Sequence, residues 1–312
     1  MRNTRCARAT AVATVAALLT AALVPCASAK SGSKNRVETG ASTVELVWPL
    51  PPDQPRIRYL GTLTGESDYQ KNESRFRRFL LGRRTEPGVS LHKPYGVTTD
   101  SAGRIYVSDT GLGTIVVFDE TARQVNVLTD EGGVRLVTPI GMAIDRDDRL
   151  FVADADLNQV FCIGPDGQLL MSIGASEKLQ NPTGVAIDQA RGRLYVVDSH
   201  LHKLFIYDLA GRLLETWGSR GSIAGTFNFP TNIALDPSGN VYVVDTGNFR
   251  VQVFDPDGKL LIAFGEAGDG SGSFHRPKGI ALDSDQNIYV VDAAFNNFQI
   301  FDREGQLLLF VG

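Results

Sequence analysis

Short runs of alternating apolar and polar residues fill the chain from about residue 92 onwards. The clearest stretch predicts strands over 233–235, 241–244, 250–254 and 260–264. Three segments rich in turn-forming residues separate these strands: Asp236-Pro237-Ser238-Gly239, Asp245-Thr246-Gly247-Asn248 and Asp255-Pro256-Asp257-Gly258. Alternation with a period of two is typical of half-buried strands. The pattern therefore predicts a meander of four short antiparallel strands.

The same unit recurs five times along the chain. Each copy opens on a Pro-x-Gly triplet or a close variant: Pro94-Tyr95-Gly96, Pro139-Ile140-Gly141, Pro182-Thr183-Gly184, Pro230-Thr231-Asn232 and Pro277-Lys278-Gly279. The prolines are 45, 43, 48 and 47 residues apart, which gives repeats at about 92–135, 136–178, 179–226, 227–273 and 274–312. Four-stranded units repeated about an axis form a β-propeller. We therefore predict an all-β propeller of four-stranded antiparallel blades.

The centre of the unit carries a family resemblance. Residues 242–255 read Tyr-Val-Val-Asp-Thr-Gly-Asn-Phe-Arg-Val-Gln-Val-Phe-Asp, and the Tyr-Val-Val-Asp part returns at 195–198 and 289–292. With the Pro-x-Gly triplets, this segment resembles the NHL repeat over about residues 92–312. The resemblance implies a propeller that usually has six blades. The stretch from Trp48 to Gly61 is similar to the N-terminus of exported bacterial proteins of this type.

A count of strands leaves the implied ring incomplete. The segment Arg56–Gly61 resembles the closing fourth strand of a repeat, but the fifth repeat already has a fourth strand at 307–310. Three strands of a sixth blade are then missing. The favoured prediction is a truncated or open six-blade ring, with five full repeats and an incomplete sixth blade. Its wedge-shaped gap would be bridged on one edge by the strand at 56–64. Closure with five blades and completion by another chain are the alternatives.

The N-terminal 29 residues are predicted to be an export signal. Three arginines precede an apolar run over 9–24, and Ala27-Ser28-Ala29 is a typical cleavage pattern. The run is short for a transmembrane span. Leu23-Val24-Pro25-Cys26 alternatively resembles a lipoprotein signal, in which Cys26 would carry a lipid anchor. Both interpretations predict an exported protein, periplasmic or extracellular, and the second predicts a membrane-anchored lipoprotein.

The segments between the signal and the repeats have contrasting compositions. Residues 30–55 are predicted to be a flexible, proline-rich leader, and 56–91 to hold the extra strand and a basic segment. That segment, 71–84, places Phe76, Phe79 and Leu80 at helical spacing among six Lys and Arg residues. It predicts a short amphipathic helix. Its basic side chains suit an acidic partner or an anionic lipid, and its apolar side chains suit packing on the propeller.

The charge balance argues against nucleic acid as the main partner. The chain has 31 Lys and Arg against 35 Asp and Glu, and loss of the three signal arginines leaves a net charge near −7. Phosphate contacts need basic side chains. The sequence predicts no internal disulfide, because Cys162 is the only cysteine outside the predicted signal.

Two series of aspartates recur at fixed distances from the repeat prolines. The first follows each proline by six residues and the second by fifteen or sixteen: Asp100, Asp145, Asp188, Asp236 and Asp283, then Asp109, Asp154, Asp198, Asp245 and Asp292. Oxygen ligands facing one ring would suit Ca²⁺. Turn chemistry is the favoured interpretation, because an aspartate that begins a turn can accept the N–H two residues later.

Four histidines are the alternative candidates for a metal site. His92 and His275 each precede a repeat proline by two residues, and His200 and His202 lie in the second turn of the third repeat. Three imidazoles can bind zinc, and the resemblance adds metal-dependent amidating lyases built on the same scaffold. No pair has ligand spacing on a helix, so exposed or hydrogen-bonded histidines and no cofactor are favoured. Zinc and calcium are the alternatives.

Residues that break the repeat pattern are the favoured binding candidates. They lie in the triplets and second turns of repeats four and five: Asn232, Phe249, Arg250, Lys278, Phe295 and Asn296. Aromatic and arginine side chains on exposed turns are typical interface anchors. No catalytic signature such as G-x-S-x-G or H-E-x-x-H occurs, and no catalytic residue is assigned. We therefore predict a binding or scaffold module for a protein or peptide outside the cytoplasm. The alternative is a metal-dependent lyase or hydrolase with its site at the mouth of the central channel.

Overall fold

The computed structural model describes residues 46–50, 52–69, 88–128 and 133–312. Its main feature is a set of five four-stranded antiparallel sheets, in each of which consecutive strands are hydrogen-bonded neighbours. The sheets are the blades of a β-propeller, as the repeats predict, and we number them 1 to 5 along the chain.

The strands follow the predicted meander closely. A short pair, β1 (Val47–Trp48) and β2 (Ile57–Arg58), precedes the blades. Blade 1 contains β3 (Pro94–Thr99), β4 (Ile105–Asp109), β5 (Thr114–Asp119) and β6 (Gln124–Val127). Blade 2 contains β7 (Pro139–Ile144), β8 (Leu150–Asp154), β9 (Gln159–Ile163) and β10 (Leu169–Ile173). Blade 3 contains β11 (Pro182–Asp188), β12 (Arg193–Asp198), β13 (Lys203–Asp208) and β14 (Leu213–Trp217).

The last two blades have the same plan. Blade 4 contains β15 (Pro230–Leu235), β16 (Val241–Asp245), β17 (Arg250–Phe254) and β18 (Leu260–Phe264). Blade 5 contains β19 (Pro277–Leu282), β20 (Ile288–Asp292), β21 (Asn297–Phe301) and β22 (Leu307–Val311). Two single-turn 3₁₀ helices are also present, at Glu66–Asp68 and Thr246–Asn248.

The first aspartate series builds the first turn of every blade. Asp236 accepts the N–H of Ser238 at 2.8 Å, and Asp283 accepts the N–H of Asp285 at 2.9 Å. The equivalent bonds occur in the other three blades. These bonds confirm the prediction that this series serves turns, where a carboxylate satisfies a backbone donor that the strands leave free.

The first strands of the blades stand side by side around a central channel. Each contacts the next, from β3 to β7, β11, β15 and β19. Glycine in the triplet permits this approach, because a Cβ on Gly96 would clash with the carbonyl of Ile140 and one on Gly184 would lie 2.8 Å from the Cα of Asn232. A Cβ on Gly279 would meet only Val291 of its own blade, at 3.6 Å. Among the described residues, no comparable contact joins β19 back to β3.

Apolar side chains fill the junctions between neighbouring blades. At the junction of blades 4 and 5, a row from blade 4 faces a row from blade 5 and the segment that leads into it: Tyr242, Val244, Val251 and Val253 against Phe274, Ile288, Val290 and Phe301. Similar clusters fill the other junctions. Burial of such side chains, worth about 1.5–3 kcal/mol each, is what stabilises the stack of blades.

The prediction of an incomplete sixth blade is wrong, since the described residues form five blades and no part of a sixth. The predicted extra strand joins no blade. Ile57 pairs with Trp48 and Arg58 with Val47, so the strand finds its partner locally. Pro55 lies just before it, and proline has no N–H with which to extend a ladder. The strand at 56–64 therefore does not bridge the space beside blade 5.

Several predicted segments lie outside the described residues. They are the export signal at 1–29, with Cys26, and the basic amphipathic segment at 71–84. Within the described ranges, no helix is long and apolar enough to cross a membrane.

Candidate functional site

One end of the propeller carries most of the predicted site residues. The first strand of each blade starts there, and its proline pairs with the second-series aspartate that ends the next strand, as Pro230 does with Asp245 and Pro277 with Asp292. The second turn of each blade lies at the same end. We call this end the proline face.

The second aspartate series holds the proline face together. Its five side chains are fully buried: Asp109, Asp154, Asp198, Asp245 and Asp292. Each accepts N–H groups from the residues just before the repeat proline. Asp292 accepts the N–H of His275 at 2.7 Å and that of Arg276 at 3.1 Å. Because these carboxylates are committed to backbone donors, the second series also serves turns, as predicted.

The second turns share a left-handed backbone position. Its occupants have φ between 53° and 64°: Gly113, Asn158, His202, Phe249 and Asn296. Glycine adopts this conformation freely and asparagine tolerates it, whereas a larger side chain costs about 1–2 kcal/mol. Two predicted binding residues, Phe249 and Asn296, therefore occupy the left-handed position that the second turn requires. Phe249 is also partly buried against the junction of blades 4 and 5.

Arg250 is tied into the structure by three hydrogen bonds. Its Nε donates to Asp245 Oδ2 at 2.9 Å, and its Nη2 donates to the carbonyls of Ile223 at 3.0 Å and Thr226 at 3.1 Å. Burial raises the pKa of Asp245 above its usual value, although hydrogen bonds from Asn228 and from Arg250 oppose the shift. Arg250 thus fastens the loop at 219–227 to blade 4.

Two glutamines that the sequence analysis missed hold the glycine-rich loops before blades 4 and 5. Gln252 accepts the N–H of Gly225 at 2.9 Å and donates to the carbonyl of Thr226 at 2.8 Å. Gln299 makes the same pair of bonds with Gly272 and Ser273, both at 2.8 Å. A signal was present in the sequence. Glutamine stands in the third strand of repeats four and five, and these are the two repeats preceded by a glycine-rich insertion.

The histidines are spread over different blades. His202 is buried, and its Nδ1 accepts the N–H of Phe229 at 3.0 Å. Burial lowers the pKa of His202, and the charges of Arg220 and His200 add to the shift. The ring of His275 lies 5.7 Å from that of Phe295. Among the described residues, no three His, Cys, Asp or Glu side chains are placed to hold a metal ion. The structure therefore does not bring His92, His200, His202 and His275 together.

Three more predicted binding residues differ in exposure. Asn232 is half-buried against Gly184, and its Oδ1 accepts the N–H of Ile233 at 2.8 Å. Phe295 is 39 % exposed on the proline face, and the adjacent Asn296 is exposed as well. Of the six candidates, Phe295 and Asn296 are thus the ones open to solvent at a turn.

Lys278 lies at the start of β19 and is half-buried. Burial lowers the pKa of its ammonium group, and the positive charge of Arg276 lowers it further. Burial raises the pKa of the Tyr95 hydroxyl in blade 1, and the charge of Arg276 opposes that shift. Tyr95 keeps 40 % of its surface accessible. Arg276, two residues before Lys278, is exposed to solvent.

The outer face of blade 5 is a further candidate surface. The strand register places Tyr289 beside Ile300 and Leu309, and Val291 beside Phe298. Tyr289, Val291, Phe298 and Leu309 are half-buried. The equivalent residues of blade 4 are 3 % exposed at Tyr242 and fully buried at Val244 and Val251. The difference arises because blade 5 covers that face of blade 4, whereas no described residue forms a blade against blade 5. We call this surface the open face.

The outer face of blade 1, unlike that of blade 5, is covered by other described residues. Ile105, Val107, Val116 and Phe118 of blade 1 pack against residues from the segments before it: Leu63, Tyr69, Val89 and Leu91. These covering residues belong to no blade. A terminal blade of this propeller is therefore closed by an irregular polypeptide segment with aliphatic and aromatic side chains.

Comparison with known families agrees with the repeat pattern. The NHL repeat model matches residues 179–207, 227–254 and 274–301, which lie in blades 3, 4 and 5. The three matched segments start before or at the first strand of each blade and end in its third strand.

Solved structures of similar fold include both enzymes and a binding protein. Virginiamycin B lyase from Staphylococcus aureus is 14% identical, with a TM-score of 0.54 over 69% of each chain. A gluconolactonase from Xanthomonas campestris is 20% identical, with a TM-score of 0.56 over 71% of this chain and 76% of its own. A chain of a nidogen/laminin complex is 19% identical, with a TM-score of 0.56 over 70% of this chain and 79% of its own. At these identities the likeness shows the propeller fold.

Proposed function

Because this chain carries NHL repeats in a β-propeller of four-stranded blades, we propose that it is a binding protein that holds a polypeptide partner on the open face of blade 5. The observation that supports this proposal is the partial exposure of Tyr289, Val291 and Phe298, whose counterparts in blade 4 are buried. Apolar side chains left partly exposed on one face of a sheet are typical of an interaction site.

The chemistry of the partner follows from what covers equivalent faces. The matching face of blade 4 is covered by Phe274, Ile288, Val290 and Phe301. The outer face of blade 1 is covered by the irregular segment with Leu63, Tyr69, Val89 and Leu91. Both covers are polypeptide with aliphatic and aromatic side chains. The open face therefore suits an apolar polypeptide segment, which would lay its side chains on Tyr289 and Phe298.

The similar structures support both functional classes. The nidogen/laminin complex is an assembly of proteins that contains a chain of this fold. The lyase and the gluconolactonase support the alternative function, which is an enzyme with its site at the channel mouth. The open face favours the binding role, because it is an apolar surface and not a cluster of reactive groups. The exposed Phe295 and Asn296 on the proline face are a second surface that a partner could contact.

We place this role outside the cytoplasm. The support is the N-terminal sequence, with its basic start, apolar run and Ala27-Ser28-Ala29 cleavage pattern. The cysteine at position 26 extends the proposal to a lipid anchor, in which the propeller would bind its partner close to a membrane. Globomycin sensitivity of the processed form, together with loss of the anchor in Cys26→Ser, would distinguish the lipoprotein from the soluble form.

A peptide selection tests the binding proposal. A random peptide library displayed on phage is selected on the wild-type protein, and the enriched peptides are synthesised. We expect peptides rich in aromatic and aliphatic residues. Val291→Glu should weaken their binding at least tenfold, because it places a charge in the contact. Phe295→Glu is the matched control, since it adds the same charge to an exposed apolar side chain on the proline face.

The outcomes separate the open face from other surfaces. Peptides that bind Val291→Glu as well as wild type, but lose affinity for Phe295→Glu, would overturn the proposal in favour of the proline face. A wild-type protein that is a dimer, and becomes a monomer in Val291→Glu, would show that a second copy covers the open face. That result would also contradict a separate polypeptide partner.

A further inference from the structure

Blade 1 has an arginine at a turn position where every other blade has a glycine. The third turn of blades 2 to 5 ends on a glycine with φ between 78° and 84°: Gly167, Gly211, Gly258 and Gly305. The third turn of blade 1 ends on Arg123, with φ of 55°. The strand register supports the comparison, because Arg123 stands two residues before the partner of Phe118, and Gly211 stands two residues before the partner of Tyr207. A side chain disfavours this left-handed backbone, and residues kept in such a conformation cluster at functional sites.

The Arg123 side chain lies over an aromatic ring of the segment that covers blade 1. Its guanidinium carbon is 5.6 Å from the centre of the Tyr69 ring. The ring of Tyr69 in turn meets that of Phe118 edge to face, with the ring centres 6.5 Å apart. Arg123 is therefore held over a ring that blade 1 itself keeps in place.

Arg123 and Tyr69 form part of the wall of a surface depression of about 210 Å³. The remaining wall comes from the 3₁₀ helix at 66–68 and from β6, the outermost strand of blade 1, so that the lining is Glu66, Tyr69, Arg123, Gln124, Val125 and Asn126. At about 30 Å³ per molecule, this volume corresponds to roughly seven waters. A single sugar ring is a ligand of that size.

The polar side chains of the lining suit a neutral ligand with several hydroxyl groups. Glu66 is half-buried, and its carboxylate lies so close to Gly88 that a Cβ there would clash with Oε2. One carboxylate and the one guanidinium of Arg123 balance each other, which disfavours a ligand with a net charge of either sign. The side-chain amides of Gln124 and Asn126 both donate and accept hydrogen bonds, as a hydroxyl does. Among the described residues, no other side chain occupies these two amides.

We propose that the depression beside β6 binds a neutral sugar ring. Hydroxyl groups of the sugar donate to the Glu66 carboxylate and accept from the Arg123 guanidinium, and both bonds are charge-assisted. The amides of Gln124 and Asn126 bind further hydroxyl groups, and Val125 contacts the C–H groups of the ring. This site uses no residue of the open face of blade 5, so the two proposals stand or fall independently.

A titration followed by nuclear magnetic resonance tests the site directly. The isotope-labelled protein is titrated separately with D-glucose, D-galactose, D-mannose and N-acetyl-D-glucosamine, up to tens of millimolar. We expect at least one of these sugars to shift the side-chain amide signals of Gln124 and Asn126 in a saturable way. The uronate and the amino sugar that match the best ligand should bind more weakly, because each carries a net charge.

Arg123→Gly separates a role in binding from a role in the fold. It removes the guanidinium and relieves the left-handed backbone, so binding should weaken by roughly fivefold or more while the midpoint of urea unfolding stays equal or rises. Glu66→Gln should also weaken binding, because its acceptor loses the charge. Arg303→Gly is the matched control, since it removes an exposed arginine from the third turn of blade 5 and should leave binding unchanged.

Several results would overturn the proposal. They are the absence of a saturable shift with every sugar, equal binding to wild type, Arg123→Gly and Glu66→Gln, and tighter binding of the uronate or the amino sugar than of the neutral sugar. An Arg123→Gly protein that is less stable than wild type and binds sugar equally well would show that Arg123 serves the fold alone. Val291→Glu should leave sugar binding unchanged, which keeps this test separate from that of the open face.

The source of the sugar is determined with an oligosaccharide. The best monosaccharide is compared with a trisaccharide that ends in the same sugar. Tighter binding of the trisaccharide would support the proposal with a glycan as the ligand. Equal binding would support it with a free sugar or a single terminal residue as the ligand.

Discussion

Arg250 and Asp245 form an ion pair that is almost removed from water. Their Nε and Oδ2 atoms lie 2.9 Å apart, and the side chains are 16% and 0% exposed. Asn248 and Gln252 donate to the same carboxylate oxygen, at 2.7 Å and 3.1 Å. Asp245 therefore connects the second turn of blade 4 to its third strand, and Arg250 and Gln252 connect that strand to the loop at 219–227.

Removal of Arg250 should destabilise the protein strongly. Arg250→Met leaves a buried carboxylate without its counter-charge, which costs about 3–5 kcal/mol in comparable pairs. Arg212→Met is the matched control, because the pair of Arg212 with Asp208, at 3.1 Å, has an arginine side chain that is 79% exposed. It should stay within about 1 kcal/mol of wild type. Urea unfolding of both variants at neutral pH measures the difference.

The cost of Arg250→Met should shrink as the pH falls. Burial already raises the folded-state pKa of Asp245 above 3.8, and loss of Arg250 raises it further. A raised carboxyl pKa means that the folded state binds the proton more tightly, so stability from this group falls as pH rises above 3.8 through the folded pKa. In acid the carboxyl is neutral and the missing cation matters less. An Arg250→Met cost that is independent of pH would contradict this account of Asp245.

Gln252 and Gln299 should each control one loop. Gln252→Leu leaves the N–H of Gly225 without its acceptor, and the carbonyl of Thr226 keeps only the bond from Arg250. An unpaired buried group costs about 1–3 kcal/mol. Amide hydrogen exchange in residues 219–227 should then quicken by roughly tenfold or more. Gln299→Leu should do the same in residues 266–274 and leave the first loop unchanged. Acceleration of both loops by either variant would show a general loss of stability instead.

His202 should make stability depend on pH near neutrality. Its folded pKa lies below 6.5 because of burial, Arg220 and His200, while Asp245 and Asp198 oppose the shift. The unfolded state therefore binds the proton first, and stability falls as the pH drops through 6.5 towards the folded pKa. Protonation would also remove the acceptor of the Phe229 N–H.

An asparagine at this position separates the effect of His202 from that of the other histidines. His202→Asn keeps a residue that tolerates the left-handed backbone, and its Oδ1 can replace the acceptor. Thermal unfolding between pH 7.5 and 5 should show a smaller loss of Tm in the variant than in wild type. Parallel curves would show that another group titrates.

The repeat pattern predicted the blades because the same short-range physics acts in each copy. Alternation of apolar residues and aspartate-led turns gave the meander, and the Asp236 and Asp283 bonds confirm the turns. The same reasoning placed Phe249 and Arg250 on an exposed turn. Phe249 instead packs at a blade junction, and Arg250 binds carbonyl groups of a loop. The partners in both cases include residues more than 20 positions away in the sequence, so a local pattern does not reveal them.

The ring was harder to predict than its blades. The sequence of 56–61 resembles a fourth strand, but pairing depends on what lies nearby, and Ile57 pairs with Trp48. Lys278 was predicted as a residue that breaks the repeat pattern, and it lies half-buried at the start of β19.

The exposure of blade 5 is tested most directly by two equivalent substitutions. Val244 and Val291 occupy the same position in blades 4 and 5, but Val244 is fully buried and Val291 is half-buried on the open face. Urea unfolding of Val244→Glu and Val291→Glu compares them. We expect Val244→Glu to lose at least about 4 kcal/mol, because it buries an unpaired charge, and Val291→Glu to lose less than about 1 kcal/mol. Equal, large losses at both positions would show that the face of blade 5 is already covered, and would contradict its exposure.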